Sequence, residues 1–225
     1  MTEYHCHILP GIDDGAKDPE MSLGMAEMMY KQGVRTLVCT PHFYAHREKS
    51  VERFLEKREA AFSKIKARLP FADVRLGAEV AIENGISELE GIEKLAISGT
   101  DLILLELPYR MYSPWMSEEI YSIAAAYHLR VILAHIHRYP ELYSRADMET
   151  VLKTDAVFQI NNEAFEHFFE RRMVRKLIKE EYPLVFGSDA HNLDQRRPNW
   201  NVLTKKVPAG LIAASDAVLQ KHSRG

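Results

Sequence analysis

The chain has 225 residues, 46% hydrophobic and 27% charged, with 29 Lys and Arg against 32 Asp and Glu for a net charge of -3. That balance fits an ordinary globular protein and excludes a basic nucleic-acid track or a polybasic membrane tether. The polar start is no signal peptide, no apolar run reaches the ~20 residues that span a bilayer, and two cysteines make no disulfide framework, so a cytoplasmic protein without membrane insertion is expected.

Residues 4–8 read as a first strand that places His5 and His7 on one face and Cys6 on the other. A helix is predicted over 19–32, with Asp18 as N-cap, Pro19 in the first turn and Gly33 as the stop. Residues 36–40 form a second strand ended by Pro41, and 51–69 a long charged amphipathic helix. A third strand covers 74–80, a short helix with turns 85–99, and a fourth strand 101–107 ended by Pro108. Then follow a helix over 116–128, strands over 130–136 and 156–161, a helix over 165–181, a seventh strand over 183–188 and a last helix over 208–220. Strand alternating with helix implies parallel strands and right-handed crossovers within one domain covering residues 1–225, as an open doubly wound sheet or a closed barrel. His and Asp, not a glycine-rich phosphate loop, follow the first strand.

The chemistry-bearing residues fall at equivalent places on that map. His5 and His7 close strand one, Asp14 follows in its loop, and His42 follows strand two. Glu79 closes strand three, Glu106 strand four, His135 strand five, and Asp189 and His191 strand seven. In a parallel barrel the C-terminal strand ends converge on one face, where active sites are built. Imidazoles and carboxylates gathered there are metal-ligand chemistry. Glu106, inside Leu102-Ile103-Leu104-Leu105-Glu106-Leu107, would be costly to bury without a cation. His137 reads as a support for this cluster, and His46, His128, His167 and His222 as solvated. Cys6 and Cys39 read as small buried residues, because neither has an arginine six positions on, as a cysteine phosphatase requires.

His5-Cys6-His7-Ile8-Leu9-Pro10-Gly11-Ile12-Asp13-Asp14-Gly15, Thr40-Pro41-His42, Gly77-Ala78-Glu79, Ala134-His135-Ile136-His137-Arg138-Tyr139 and Ser188-Asp189-Ala190-His191-Asn192 together resemble the PHP (polymerase and histidinol phosphatase) superfamily. The likeness is greatest to its bacterial tyrosine-protein phosphatases of capsule and exopolysaccharide operons, and runs from Thr2 to about Arg197. It implies an α/β fold, a distorted seven-stranded (β/α)7 TIM-like barrel, around three divalent metal ions, manganese first and iron, zinc, cobalt or magnesium as alternatives. One ion would take His5, His7, Glu79 and Asp189; a second Glu79, Glu106 and His135; a third Asp14, His42 and His191. Arg138 and Arg196 match the family's catalytic arginines. The family usually opens Asp-x-His-x-His, and here Glu3 stands first. The segment after Trp200 matches the family poorly.

Such a centre suits a phosphate dianion, and the expected chemistry is direct in-line displacement on phosphorus by hydroxide held on the metals, with no covalent enzyme intermediate. Phenolate, with a pKa of about 10, departs with little help from an acid, which favours phosphotyrosine. Phe43, Tyr44, Tyr109, Tyr112 and Trp115 are the expected aromatic rim for its ring. The expected partner is a tyrosine-phosphorylated protein, the cytoplasmic tail of a capsule tyrosine kinase; the oligomeric state is left open. A phosphoesterase for a small monoester such as histidinol phosphate, a nuclease and an inactive metal-binding scaffold are the alternatives.

Overall fold

The computed structural model describes residues 1–224 as short strands alternating with helices. Strands β1 (Thr2–Glu3), β2 (Thr36–Cys39) and β4 (Asp73–Leu76) make one sheet in the order β1-β2-β4. Strands β3 (His42–Phe43), β5 (Glu79–Ala81), β6 (Leu102–Glu106), β7 (Arg130–Leu133), β8 (Val157–Asn161) and β9 (Leu184–Gly187) make the second sheet in that order. Every pairing between these strands is parallel. The helices are α1 (Pro19–Lys31), α2 (Val51–Ser63), α3 (Pro114–Tyr127), α4 (Arg145–Leu152), α5 (Phe168–Lys179), α6 (Trp200–Lys206) and α7 (Ala209–Lys221). Among the described residues no helix is long and apolar enough to cross a membrane.

Seven strands were expected and nine appear among the described residues, because two are broken. Pro41 has no N–H to continue a ladder, so β2 stops and β3 resumes beyond it. The β4–β5 break falls at Gly77, whose N–H donates to Cys39 O (2.8 Å) and whose carbonyl accepts from Arg58 Nη1 (2.7 Å). The first segment is also less regular than predicted: beyond β1 it forms no continuous strand and meets the last strand's segment through a bridge, Cys6 to Ala190, and a few backbone hydrogen bonds. The helix expected over 51–69 ends at Ser63, and the one over 165–181 starts at Phe168. Asp18 caps α1 as expected, accepting from Met21 N–H at 2.8 Å. Helices α4 and α6 were not expected; α4 starts at a capping box between Ser144 and Asp147.

The alternation along β6 explains its continuous apolar sequence. Leu102 and Leu104 join an inner cluster with Tyr4, Val38, Ile132 and Val185, while Ile103 and Leu105 join the larger core under the helices. The same period of two carries Glu106 onto the inner side at the strand's C-terminal end. At the opposite end α7 covers the inner cluster: Tyr4 donates its hydroxyl to Ser215 O (2.8 Å) and accepts from Leu219 N–H (2.8 Å). Both faces of the sheet are therefore apolar, and polar side chains gather where the strands end.

Candidate metal centre

All nine expected residues meet there. Glu79, buried at the first position of β5, is the hub: Oε2 lies 3.1 Å from His5 Nε2, 3.2 Å from His7 Nε2 and 3.0 Å from His42 Nδ1, and Oε1 lies 3.0 Å from His135 Nε2. Glu106 Oε1 is 3.3 Å from His135 Nε2. Asp189 Oδ1 is 3.6 Å from His5 Nε2 and 3.5 Å from His7 Nε2. Asp14 Oδ1 lies 3.5 Å from both His42 Nε2 and His191 Nε2. Two of these residues sit on left-handed backbone that non-glycine residues rarely adopt, His135 at φ 30° and Asp189 at φ 50°. Each holds of order 1–3 kcal/mol of local strain, as at many sites where side-chain placement matters more than backbone ease.

The hydrogen-bond network fixes which ring nitrogens carry lone pairs. His135 N–H can only donate, and it donates to Gln159 Oε1 at 2.7 Å. That oxygen therefore accepts from His5 Nδ1 as well (3.1 Å), so the neutral ring of His5 presents a bare Nε2. Asp13 accepts from His7 Nδ1 (2.7 Å) and from the amides of Gly15 and His42, so in the neutral ring of His7, as in a metal-bound one, Nε2 is the bare nitrogen. His191 Nδ1 donates to the carbonyl of Asp189 at 2.9 Å, with the same result. Two bare nitrogens, His5 Nε2 and His7 Nε2, then face each other at 3.2 Å among carboxylate oxygens. Glu79 Oε2, His42 Nδ1 and His191 Nε2 are buried without a hydrogen-bond partner among the described residues. A proton on one ring serves one neighbour; a divalent ion serves the whole ring of donors, so these residues fit metal.

Electrostatics agree. Burial opposes the charge on Glu79, yet His5, His135 and His42 hold its pKa well below the ordinary range. Burial likewise opposes charge on Asp189, outweighed by His5, His7 and Arg138. Burial also works against His7, but Asp13, Asp189 and Glu79 drive its pKa well up; on His135 the same contest, with Glu106 and Glu79, ends at about 9. His191 goes the other way, its pKa lowered by burial with His7 and Arg196 beside it. Three sets have ligand atoms within 4.8 Å of one another: His5, His7 and Asp189; His7, Asp14, His42 and His191; and His42, Glu79 and Glu106. The family grouping puts His135 with Glu79 and Glu106; in the structure His42 reaches that pair as well.

Sequence reasoning missed several supporting residues. Glu3, fully buried, accepts from His5 N–H (3.0 Å), Ser188 N–H (2.9 Å) and Trp200 Nε1 (2.7 Å). Its extra methylene, compared with the family's aspartate, fits because residue 187 is glycine; a Cβ there would lie 2.8 Å from Glu3 Oε1 and 2.9 Å from His5 Cβ. Gln159 Nε2 donates to Asn161 Oδ1 (3.0 Å), and Asn161 Nδ2 donates to Asp189 Oδ2 (3.0 Å) and Glu163 Oε1 (2.9 Å). The available signal was two amides at period two in an otherwise apolar strand, Phe158-Gln159-Ile160-Asn161. Gln159→Leu removes the acceptor that sets the His5 tautomer, and should weaken metal affinity about 10–100-fold, measured by chelator competition.

Arg138 Nη2 and Arg196 Nη2 converge on Asp189 Oδ2, at 3.0 and 2.9 Å, beside a cavity of about 270 Å³. Of the expected aromatic rim, Tyr44, Tyr109 and Trp115 line a cavity of about 540 Å³ that includes Glu106. Phe43 does not: it is buried in the core edge-on to Phe54, because alternation turns it away from His42. Tyr112 does not line it either, and packs on Tyr143 with its hydroxyl on Ser117 Oγ at 2.8 Å. His137, expected as a support, is buried and touches none of the cluster through its ring nitrogens.

The chain is similar along most of its length to named proteins and to a solved structure. Tyrosine-protein phosphatase YwqE of Bacillus subtilis (strain 168) is 29% identical over 209 residues, 87% of this chain and 79% of its own. Tyrosine-protein phosphatase CpsB of Streptococcus pneumoniae is 28% identical over 232 residues, 93% of this chain and 92% of its own. A crystal structure from work on YwqE and CpsB, described as unique metal-dependent tyrosine phosphatases, superposes with a TM-score of 0.78 at 23% identity, over 100% of this chain and 96% of that one. The family described as Capsular polysaccharide synthesis, CpsB/CapC matches residues 1–210, and the chain belongs to it.

Proposed function

We propose that this chain is a metal-dependent protein-tyrosine phosphatase. The observation that carries the reading is the set of bare, buried imidazole nitrogens and carboxylate oxygens aimed at one another around Glu79. Its relatives carry the name tyrosine-protein phosphatase. The centre takes three divalent ions, manganese by preference, divided among the nine residues as the family resemblance implies. Bound ions would supply Lewis acidity toward phosphoryl oxygens and would lower the pKa of a ligated water toward neutrality.

The chain's own residues do the rest. Arg138 and Arg196 turn from Asp189 to the equatorial phosphoryl oxygens, where guanidinium is well matched to phosphate. Tyr44, Tyr109 and Trp115 hold the phenyl ring against the Glu106 side of the opening. No general acid is required, because the leaving phenolate is a weak base. The chain works as one domain in the cytoplasm, on the phosphorylated tail of a capsule tyrosine kinase.

We read the nine short strands as seven, two of them interrupted, closing a distorted (β/α)7 barrel. Supporting this, Tyr4 N–H donates to Phe186 O (3.3 Å), Asp189 N–H to His5 O (2.7 Å) and His7 N–H to Ala190 O (2.9 Å), which join the first segment to the last.

The test is manganese-loaded protein against a phosphotyrosine peptide, a phosphoserine peptide, histidinol phosphate and a short oligonucleotide, each with and without chelator. Phosphotyrosine should be hydrolysed fastest, and only with metal. Preferred turnover of histidinol phosphate or the oligonucleotide would overturn the assignment.

A further inference from the structure

Helix α5 (Phe168–Lys179) buries Val174 and Leu177, and six of its twelve residues are exposed: Phe168, Phe169, Arg172, Arg175, Lys176 and Lys179. They recur at steps of three and four, so they form one outer face. Every side chain on that face is aromatic or cationic. The helix's one carboxylate, Glu170, is partly buried instead. The acids nearest in sequence, Glu166, Glu180 and Glu181, lie beyond the two ends of the helix. Lys176 stands 3.9 Å from Glu180, an exposed pair of little energy, while Arg172, Arg175 and Lys179 form no ion pair among the described residues.

The two phenylalanines are the second observation. The other seven in the chain are each 9% exposed or less, whereas Phe168 is 64% and Phe169 80% exposed, with ring centroids 5.4 Å apart. Two neighbouring rings left in water forgo the gain that burial brings to the rest. The chain's net charge of -3 gives it no general attraction to anions, and its sequence has no polybasic run; the helical period gathers the positive charge onto one face. Cations beside exposed rings match an anionic bilayer, where the cations meet lipid phosphates and the rings enter at headgroup depth. The aromatic end of the face is also the end nearest the metal centre. It follows the turn Asn162–Phe165, where Glu163 Oε1 accepts from Arg138 Nη2 at 3.2 Å.

We propose that the outer face of α5 is a peripheral docking surface for an anionic phospholipid bilayer. Arg172, Arg175, Lys176 and Lys179 supply the attraction to the headgroups, and Phe168 and Phe169 the apolar contact that turns attraction into adsorption. A lipid surface is favoured over an acidic protein because the face carries no carboxylate and no neutral polar side chain with which to select one protein from another. Docking through the aromatic end turns the metal-centre side of the chain toward the lipid.

The test is co-sedimentation of the manganese-loaded protein with vesicles of phosphatidylcholine alone, and of phosphatidylcholine with about 30% phosphatidylglycerol. The parent should bind the anionic vesicles, ignore the neutral ones, and come off as salt rises from about 0.1 M to about 0.5 M. Arg175→Gln/Lys179→Gln should weaken partitioning about 25-fold, roughly fivefold for each charge. Phe168→Ser/Phe169→Ser should weaken it about tenfold with the charge intact. Lys64→Gln/Lys66→Gln, which removes two exposed charges beside α2, should bind like the parent. All three variants should melt within about 2 °C of the parent, since only exposed side chains change. No binding to anionic vesicles, or an equal loss in the Lys64/Lys66 variant, would overturn the proposal. So would parent-level binding by Phe168→Ser/Phe169→Ser, which would mark the face as a site for soluble polyanions or acidic protein. Sedimentation velocity without lipid covers the remaining occupant: a dimer that Phe168→Ser/Phe169→Ser dissociates would mean that a second copy covers the face, and would overturn the proposal too. Binding is read without turnover, so its outcome is independent of the phosphatase assignment.

Discussion

Replacing Glu79 by glutamine should lower phosphotyrosine turnover by about a thousandfold. The substitution keeps the side chain's shape, so its effect is one of charge. Glu79 is the one carboxylate in contact with His5, His7, His42 and His135 together, all at 3.0–3.2 Å. It is 1% exposed, so no solvent can replace the lost charge. An amide also brings an N–H that must point at an imidazole nitrogen or at an ion. Losing one buried electrostatic partner of a reacting centre costs about 4 kcal/mol of transition-state stabilisation, which is about a factor of 10³ in rate. The variant should still fold, as judged by an unchanged near-UV circular dichroism spectrum. Turnover within about threefold of the parent would show that Glu79 is not the hub of the chemistry.

Chelation should abolish activity and lower Tm, and the gap should widen with pH. An ion present at 100 times its Kd contributes about 2.7 kcal/mol to stability. For a chain of this size 1 kcal/mol moves Tm by about 2–4 °C, so each such ion removed should lower Tm by ~5–10 °C. The pH dependence follows from His135. Its pKa in the fold is raised to about 9, so protonated His135 stabilises the chelated protein fully below the unfolded value of about 6.5. That contribution fades as pH rises through about 9, and His7, also raised, acts in the same direction. Metal must displace those protons, so its hold strengthens over the same interval. Scanning calorimetry between pH 6.5 and 9, with manganese and with chelator, checks both parts. A Tm that does not respond to verified metal removal would contradict the account.

The nine residues of the centre were legible because each lies at or just past the C-terminal end of a strand as read from the sequence, where strand parity and chain order suffice to bring them together, even though the breaks at Pro41 and Gly77 make His42 and Glu79 the first residues of β3 and β5. His5 and His7 are two apart on one segment, and Glu106 shares parity with Leu102 and Leu104. The start of α1 was legible for a local reason, the Asp18-Pro19 cap. What was hidden depends on long-range contact. Gln159 and Asn161 are neutral amides in a buried strand, and only the arrival of His5, His135 and Asp189 gives them a task. Glu3 is informative only once Ser188 and Trp200, nearly 200 positions away, donate to it. Phe43 was misplaced because its neighbours His42 and Tyr44 do face the opening, while the pleat turns Phe43 into the core. The strand breaks at Pro41 and Gly77 had local markers, and the positions of the continuing segments did not. Helix α4 is only eight residues long, below the length at which periodicity separates from noise.

Crystals grown with manganese and measured near its absorption edge test the central claim most directly. Anomalous difference peaks should fall inside the cluster, within ~2.5 Å of His5 Nε2, His7 Nε2 and the Glu79 carboxylate, with a further peak between Asp14, His42 and His191. Manganese bound at full occupancy elsewhere, with no peak beside Glu79, would contradict the account.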